Sequence, residues 1–189
     1  MALSQWLGLG AGADPDADLV RKAKGGSQSA FDALRRNHDK LLGGFVARRV
    51  GSASADDIVQ DIWIACWKAM PQFAGKAKFK VWLYGIAAHK CTDSIRSKIV
   101  ERSRTAESLP EEIAAPDQYK GIDLRSSVQS ALQTLPDDQR EVLELYFYAE
   151  LTLAEIAKTL NRNLNTVKYQ FYRSHQLVAA EIKAGEKGF

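Results

Sequence analysis

Apolar positions along the chain recur at helical rather than strand spacing. Phe31, Leu34, His38, Leu41, Leu42 and Phe45 follow one another at three- and four-residue steps, and Ser29 with Asp32 reads as a capping box opening that helix. A second helix is predicted from Ser54, with Asp57 three residues on. It carries Ile58, Ile62, Ala65 and Ala69 on one face and Trp63 and Trp67 on an adjoining one. It should stop before Pro71, because proline disfavours helix at the residue ahead of it. A third runs from Phe79 through Trp82, Leu83, Ile86, Ala87 and Ile95, turning polar and basic towards Arg104, after a loop that contains Gly75.

The pattern then breaks. Between Thr105 and Asp123, Glu107, Glu111, Glu112, Asp117 and Asp123 face a single Lys120, and Pro110 and Pro116 interrupt any helix. Helical spacing resumes at Val128, Ala131, Leu132 and Leu135, and Pro136 suits the first turn of a helix bearing Val142, Leu143, Leu145 and Tyr146. The expected architecture is all-α: a first helical domain over 1–104, a flexible acidic linker over 105–127 and a second helical domain over 128–189.

Within the second domain, Thr152 and Glu155 form a capping box for a helix through Ile156, Ala157 and Leu160, followed by a turn over Asn161 to Leu164. Asn165 is expected to cap the next helix, which makes the pair a helix-turn-helix. Val167, Phe171 and either Ser174 or Leu177 should face inward. Lys168, Tyr169, Tyr172 and Arg173 would then reach phosphates or base edges, and no acidic residue occurs between Lys158 and His175. A purely structural bundle yields the same pattern, so the motif alone does not assign DNA binding.

The first domain adds Lys76, Lys78, Lys80, Lys90, Arg96, Lys98, Arg102 and Arg104, opposed only by Asp93 and Glu101, with Phe73, Phe79, Trp82 and Tyr84 interleaved in its first part. Cations that track a backbone beside rings on which bases stack are what single-stranded nucleic acid requires. Trp82 is assigned to the core, and Phe73 and Tyr84 to base contact.

Composition narrows the remaining classes. With 189 residues, 46% hydrophobic and 26% charged, the chain is an ordinary globular one, and a net charge of +3 does not by itself identify a partner. Cys66 and Cys91 are too few for a disulfide framework and form no C-x-x-C, as expected of reduced thiols in a cytoplasmic protein. No apolar run approaches the ~20 residues of a membrane span, and Met1 to Gly12 has no basic stretch ahead of its apolar residues, so neither membrane insertion nor secretion is expected. His89 and Cys91 point in different directions on a helix, and His38, His175 and Cys66 lack metal spacing. Without a P-loop or nucleophile elbow either, no catalytic residue, metal or cofactor is predicted, and the chain is not expected to be an enzyme.

Two groups of residues carry a family resemblance. Asp56-Asp-Ile-Val-Gln-Asp61, then Trp67, Phe73, the loop Gly75 to Lys78 and Phe79-Lys-Val-Trp-Leu-Tyr-Gly-Ile-Ala87 resemble region 2 of the extracytoplasmic-function (ECF) sigma factors. Leu135-Pro-Asp-Asp-Gln-Arg140, Leu151-Thr-Leu-Ala-Glu-Ile-Ala157 and Thr166-Val-Lys168 resemble region 4, and order and spacing agree. The Thr152 to Lys168 pattern also resembles LuxR-type regulators, but the first half shows none of the alternating strands that a receiver domain needs.

The sigma resemblance implies binding to core RNA polymerase, through the β′ clamp helices and the β subunit, with Asp56, Asp57, Gln60 and Asp61 meeting the clamp. Promoter DNA would be read at the minus-10 element by Phe73, Gly75, Lys76, Ala77, Lys78, Tyr84 and His89, which trap a flipped base. Lys168, Tyr169, Gln170, Tyr172 and Arg173 would read the minus-35 element. Members are often held by an anti-sigma factor, a further candidate partner. Ala74, His89, Asn165 and Tyr169 depart from the usual residues of the family, which implies atypical promoter reading.

Overall fold

The free N–H and C=O groups at each helix end must find partners, and in this chain the residues that supply them set the boundaries. The computed structural model describes residues 14–105, 131, 132 and 134–186, without the side chains of 102, 103, 105 and 181–186. These residues fall into two compact units on either side of the predicted linker, and among them are seven α-helices and no strand, as an all-α fold requires. The linker itself lies outside the described residues, apart from Thr105, which is the last residue of a helix.

The first unit opens with a helix the apolar pattern did not announce, α1 (Ala17–Lys24), whose buried residues are only Val20 and Ala23. Its exposed side carries Asp18, paired with Arg21 and Lys22, and Lys22 beside it holds the Asp18 carboxyl below the usual carboxylate range. At its end Gly26 takes φ +89°, its N–H donates to the Ala23 carbonyl, and the Ser27 N–H reaches back to that of Lys22. This is a Schellman stop. Ser27 then caps α2 (Gln28–Val50), its side chain accepting from the Ala30 N–H at 3.3 Å. The cap therefore sits two residues ahead of the expected Ser29, because Gly26 has already turned the chain.

Helices α2 and α3 (Ser52–Ala69) meet at Gly51, whose φ +85°, ψ 152° is open to glycine almost alone. That corner starts α3 at Ser52 rather than at the predicted Ser54. Proline then acts as expected: α3 ends at Ala69, and Pro71 lies in a single 3-10 turn, Met70–Gln72. The long α4 (Phe79–Thr105) packs against both α2 and α3. Leu34, Leu42, Phe45, Ile62, Cys66, Leu83 and Tyr84 fill the core between them with no exposed surface. Burial pushes the Cys66 thiol up from 9.0 to about 12.

In the second unit α5 (Asp137–Phe147) follows Pro136, which occupies the position before the first helical residue. The short α6 (Leu153–Thr159) and the long α7 (Leu164–Glu186) both pack on it around Val142, Leu145, Ile156, Val167 and Phe171.

Candidate nucleic-acid and polymerase interfaces

The helix-turn-helix is built by local chemistry. Thr152 and Glu155 form the expected capping box: the Thr152 side chain accepts from the Glu155 N–H at 3.2 Å, and the Glu155 carboxylate accepts from the Thr152 N–H at 2.9 Å. After α6, Asn161 adopts φ +49°, its N–H donates to the Lys158 carbonyl and that of Arg162 to the Ala157 carbonyl, a second Schellman stop. Asparagine is among the few side chains that tolerate this backbone. The cap of α7 is Asn163, whose side chain accepts from the Asn165 N–H at 2.8 Å; Asn165, expected to be the cap, lies one turn position inside the helix.

This start fixes the faces of α7. Val167, Phe171 and Ser174 are buried, and Leu177, the alternative inward residue, is exposed. Tyr169 (61% exposed), Tyr172 (49%) and Arg173 point outward, Lys168 is half-buried, and the Arg173 guanidinium donates to the Tyr169 hydroxyl at 3.2 Å. Gln170 is a correction to the expected outward set. It is 8% exposed, and its Nε2 donates to Asp138 at 2.6 Å, tying α7 to the start of α5. Arg162 in the turn makes a second tie, 2.7 Å from the buried Glu141 and 3.2 Å from the Asp138 carbonyl. Helix α7 is thus anchored by Gln170 and Arg162 and presents two tyrosines and two cations.

In the first unit, the loop between the 3-10 turn and α4 carries the other candidate nucleic-acid residues. Ala74, Gly75 and Lys76 are exposed, with φ +67° at Gly75, while Ala77 and Lys78 are half-buried. The aromatics beside the loop reverse the expected assignment. Phe73 and Tyr84 are buried, at 7% and 0% exposure, whereas Trp82, predicted to be core, is half-buried. Phe73 stacks on Trp82 with centroids 4.6 Å apart, and Tyr84 packs edge-on against Phe45 at 5.4 Å. Tyr84 therefore has no accessible surface for a base. His89 is exposed one turn further along α4.

Of the basic stretch, Lys76, Arg96 and Arg104 are exposed. Lys98 is turned inward, donating to the Val50 carbonyl at 3.1 Å and to the Ser54 hydroxyl at 2.9 Å, where it closes the end of α2. The Arg102 side chain lies outside the described residues.

Asp56, Asp57, Gln60 and Asp61 are all exposed on α3. Because α3 begins at Ser52, Asp56 and Asp57 stand in its second turn, beyond the reach of the positive end of the helix, which fades within the first. Helix capping therefore does not account for them. Ile64 (44% exposed) and Trp67 (39%) extend the same region with apolar surface, and the Phe31 ring meets Trp67 at 4.8 Å. Ile64 was not singled out in the sequence; its position outside the Ile58, Ile62, Ala65, Ala69 face was the available signal.

Two helical units, one ending in a capped helix-turn-helix with a basic and aromatic outer face, define a protein of the class that binds DNA through a recognition helix. Comparison narrows the class: residues 34–99 match the Sigma-70 region 2 model and residues 125–175 the Sigma-70 region 4 model. The chain belongs to the ECF RNA polymerase sigma factors of the sigma-70 family. It is 30% identical over 176 residues to the ECF sigma factor SigD of Mycobacterium tuberculosis, covering 88% of this chain and 83% of that one. It is 28% identical to SigW of Bacillus subtilis, covering 87% and 95%. Among solved structures it resembles CnrH in complex with the cytosolic domain of CnrY, with TM-score 0.66 and 26% identity over 89% of this chain and 97% of that one. In fold it also resembles the sigma factor RpoE of Bartonella quintana in complex with the anti-sigma factor NepR, with TM-score 0.68 and 22% identity over 80% and 97%. No helix among the described residues is long and apolar enough to cross a membrane.

Proposed function

We propose that this chain is a dissociable initiation subunit that joins core RNA polymerase in the cytoplasm, reads a minus-35 duplex through α7 and helps open the minus-10 element through loop 73–78. The observation that carries the reading is the outward set on α7 in a chain of this family: Lys168, Tyr169, Tyr172 and Arg173 share the accessible face of a helix whose start is capped and whose opposite face is buried. Cations there meet phosphates, and the Tyr169–Arg173 pair offers a ring edge and a guanidinium to base edges in the major groove. Gln170 supports this set from behind.

For the minus-10 element, Gly75, Lys76, Ala77 and Lys78 supply the capturing loop and His89 extends the surface along α4. Phe73, stacked on Trp82, and Tyr84, packed in the core against Phe45, are given no base contact in this reading. Asp56, Asp57, Gln60 and Asp61 dock on basic residues of the β′ clamp helices, since exposed carboxylates give such a contact both speed and specificity. The β subunit is the second polymerase contact. An anti-sigma factor is a further partner in this reading: CnrH was solved with the cytosolic domain of CnrY, and RpoE, alike in fold, with the anti-sigma factor NepR. Bond formation belongs to the polymerase in this reading.

Reconstitution tests the proposal. The purified chain and core polymerase should co-elute as a holoenzyme and initiate from a promoter selected from a random library. A chain that binds duplex DNA alone and never associates with core polymerase would contradict it.

A further inference from the structure

Loop 73–78 is held at both ends by one short helix and the turn that leads into it, both distant in sequence. At its start, the Lys24 ammonium, on the last residue of α1, donates to the Phe73 carbonyl at 2.7 Å, across 49 positions of sequence. At its other end, the Asp14 carboxylate, three residues before α1, accepts from the Phe79 N–H at 2.7 Å, across 65 positions. That N–H belongs to the first residue of α4 and would otherwise be one of its four free donors.

Asp14 is itself fixed. Its other carboxylate oxygen accepts from the Asp16 N–H at 3.1 Å, and its carbonyl accepts from the Ala17 N–H at 3.1 Å. Asp16 is buried 2.7 Å from His38 Nε2 on α2, and the His38 ring packs against Phe79 at 5.4 Å. Of the loop, only the tip, Ala74 to Lys76, is exposed. Both anchors are charge-assisted, the stronger kind of hydrogen bond.

We infer that α1 is a brace that sets the conformation of loop 73–78, with Asp14 and Lys24 as positioning residues for minus-10 selectivity. The inference rests on the proposed function of that loop. Neither residue touches DNA in this scheme. Each acts through the backbone it holds: a loop pinned at both ends offers one pocket shape, and a loop released at one end samples several and discriminates less among captured bases.

The experiment uses the whole 189-residue chain with Lys24→Met, Lys24→Arg, Asp14→Ala and Asp14→Asn; Lys24→Arg keeps a charged donor, and Asp14→Asn keeps one acceptor oxygen for the Phe79 N–H while turning an NH2 donor towards the Asp16 N–H. Amide hydrogen exchange should speed up about tenfold or more at the Phe73 N–H in Lys24→Met and at the Phe79 N–H in Asp14→Ala, with α3 unchanged, with recovery in Lys24→Arg and partial recovery in Asp14→Asn. In holoenzyme, the same two variants should lose about tenfold in discrimination between the preferred minus-10 sequence and its single-base variants, with core affinity and minus-35 duplex binding as in wild type. Unaltered exchange in the loop would overturn the brace. Accelerated exchange with wild-type minus-10 selectivity would overturn its role in reading. Failure of the wild-type chain to form holoenzyme would instead refute the function on which the inference stands, and the exchange data would still report whether α1 holds the loop.

Discussion

The two elements proposed to read DNA are held in opposite ways. In the second unit, the ends of the recognition helix and its partner are set by neighbours in sequence: Thr152 with Glu155, Asn161 with Lys158, Asn163 with Asn165. In the first unit, loop 73–78 is fixed by Asp14 and Lys24, by Phe79 against His38 and by Phe73 against Trp82. A helix can carry its instructions in its own first and last turns, whereas a short loop has too few backbone hydrogen bonds to hold itself and borrows rigidity from elements folded around it. The helix-turn-helix should therefore fail by degrees under local change, and the loop should fail through residues far from it.

The strongest attempt to break this contrast is Phe79→Ala, which empties the junction of Trp82, His38 and the start of α4. It should cost about 3–5 kcal/mol of stability. Three of the four tryptophans, Trp63, Trp67 and Trp82, lie in the first unit, so urea denaturation followed by tryptophan emission in a Trp6→Phe background reports it. Arg162→Met should cost about 2 kcal/mol, because it takes the guanidinium from the buried Glu141 carboxylate while its own site is partly solvated. The loss should fall on the second unit, visible as faster hydrogen exchange in α5 and α7 with the first unit unaffected. Arg173→Ala or Lys168→Ala should weaken minus-35 duplex binding by ~1 to 3 kcal/mol each, measured by fluorescence anisotropy, without a change in stability. Thr152→Ala should cost about 1 kcal/mol and leave Lys168 and Arg173 on the same face, since the cap of α7 is independent.

The smallest effect concerns pH. The folded thiol of Cys66 ionises only near 12 rather than 9.0, because burial disfavours the thiolate. The associated stability is complete below about 9 and is lost as pH rises towards 12. Urea midpoints should consequently carry no contribution from this group between pH 6 and 8.

The same contrast governs what could be read from the chain before its structure. The Thr152–Glu155 box and the inward series Val167, Phe171, Ser174 were legible because cap and period are both local. Gln170 belongs to that series by spacing, yet its amide disguised it, and the Asp138 that draws it inward lies 32 residues away. Helix α1 was missed because Val20 and Ala23 are too few to show a period. Phe73, Trp82 and Tyr84 were assigned the wrong way round for a related reason. The buried seam of α4 runs through Leu83, Tyr84, Ala87, Ala88 and Cys91, and large rings at neighbouring positions give no sign of which one the seam takes. The starts of α2 and α3 moved two residues upstream because Gly26 and Gly51 turn the chain earlier than the serines that look like caps. The exposed acids of α3 were legible as a group, but their separation from the helix end depended on that corner at Gly51.

The two cysteines offer a practical opening. Cys66 and Cys91 are both fully buried, and at neutral pH Cys66 remains a protonated thiol, a poor nucleophile. A maleimide dye offered to the folded chain should find almost nothing to attack, so the native sequence already serves as a blank background for labelling. A single cysteine introduced at Ala74, on the loop tip, and another at the exposed Gln176 on α7, would give each reading element its own spectroscopic address without altering a core residue.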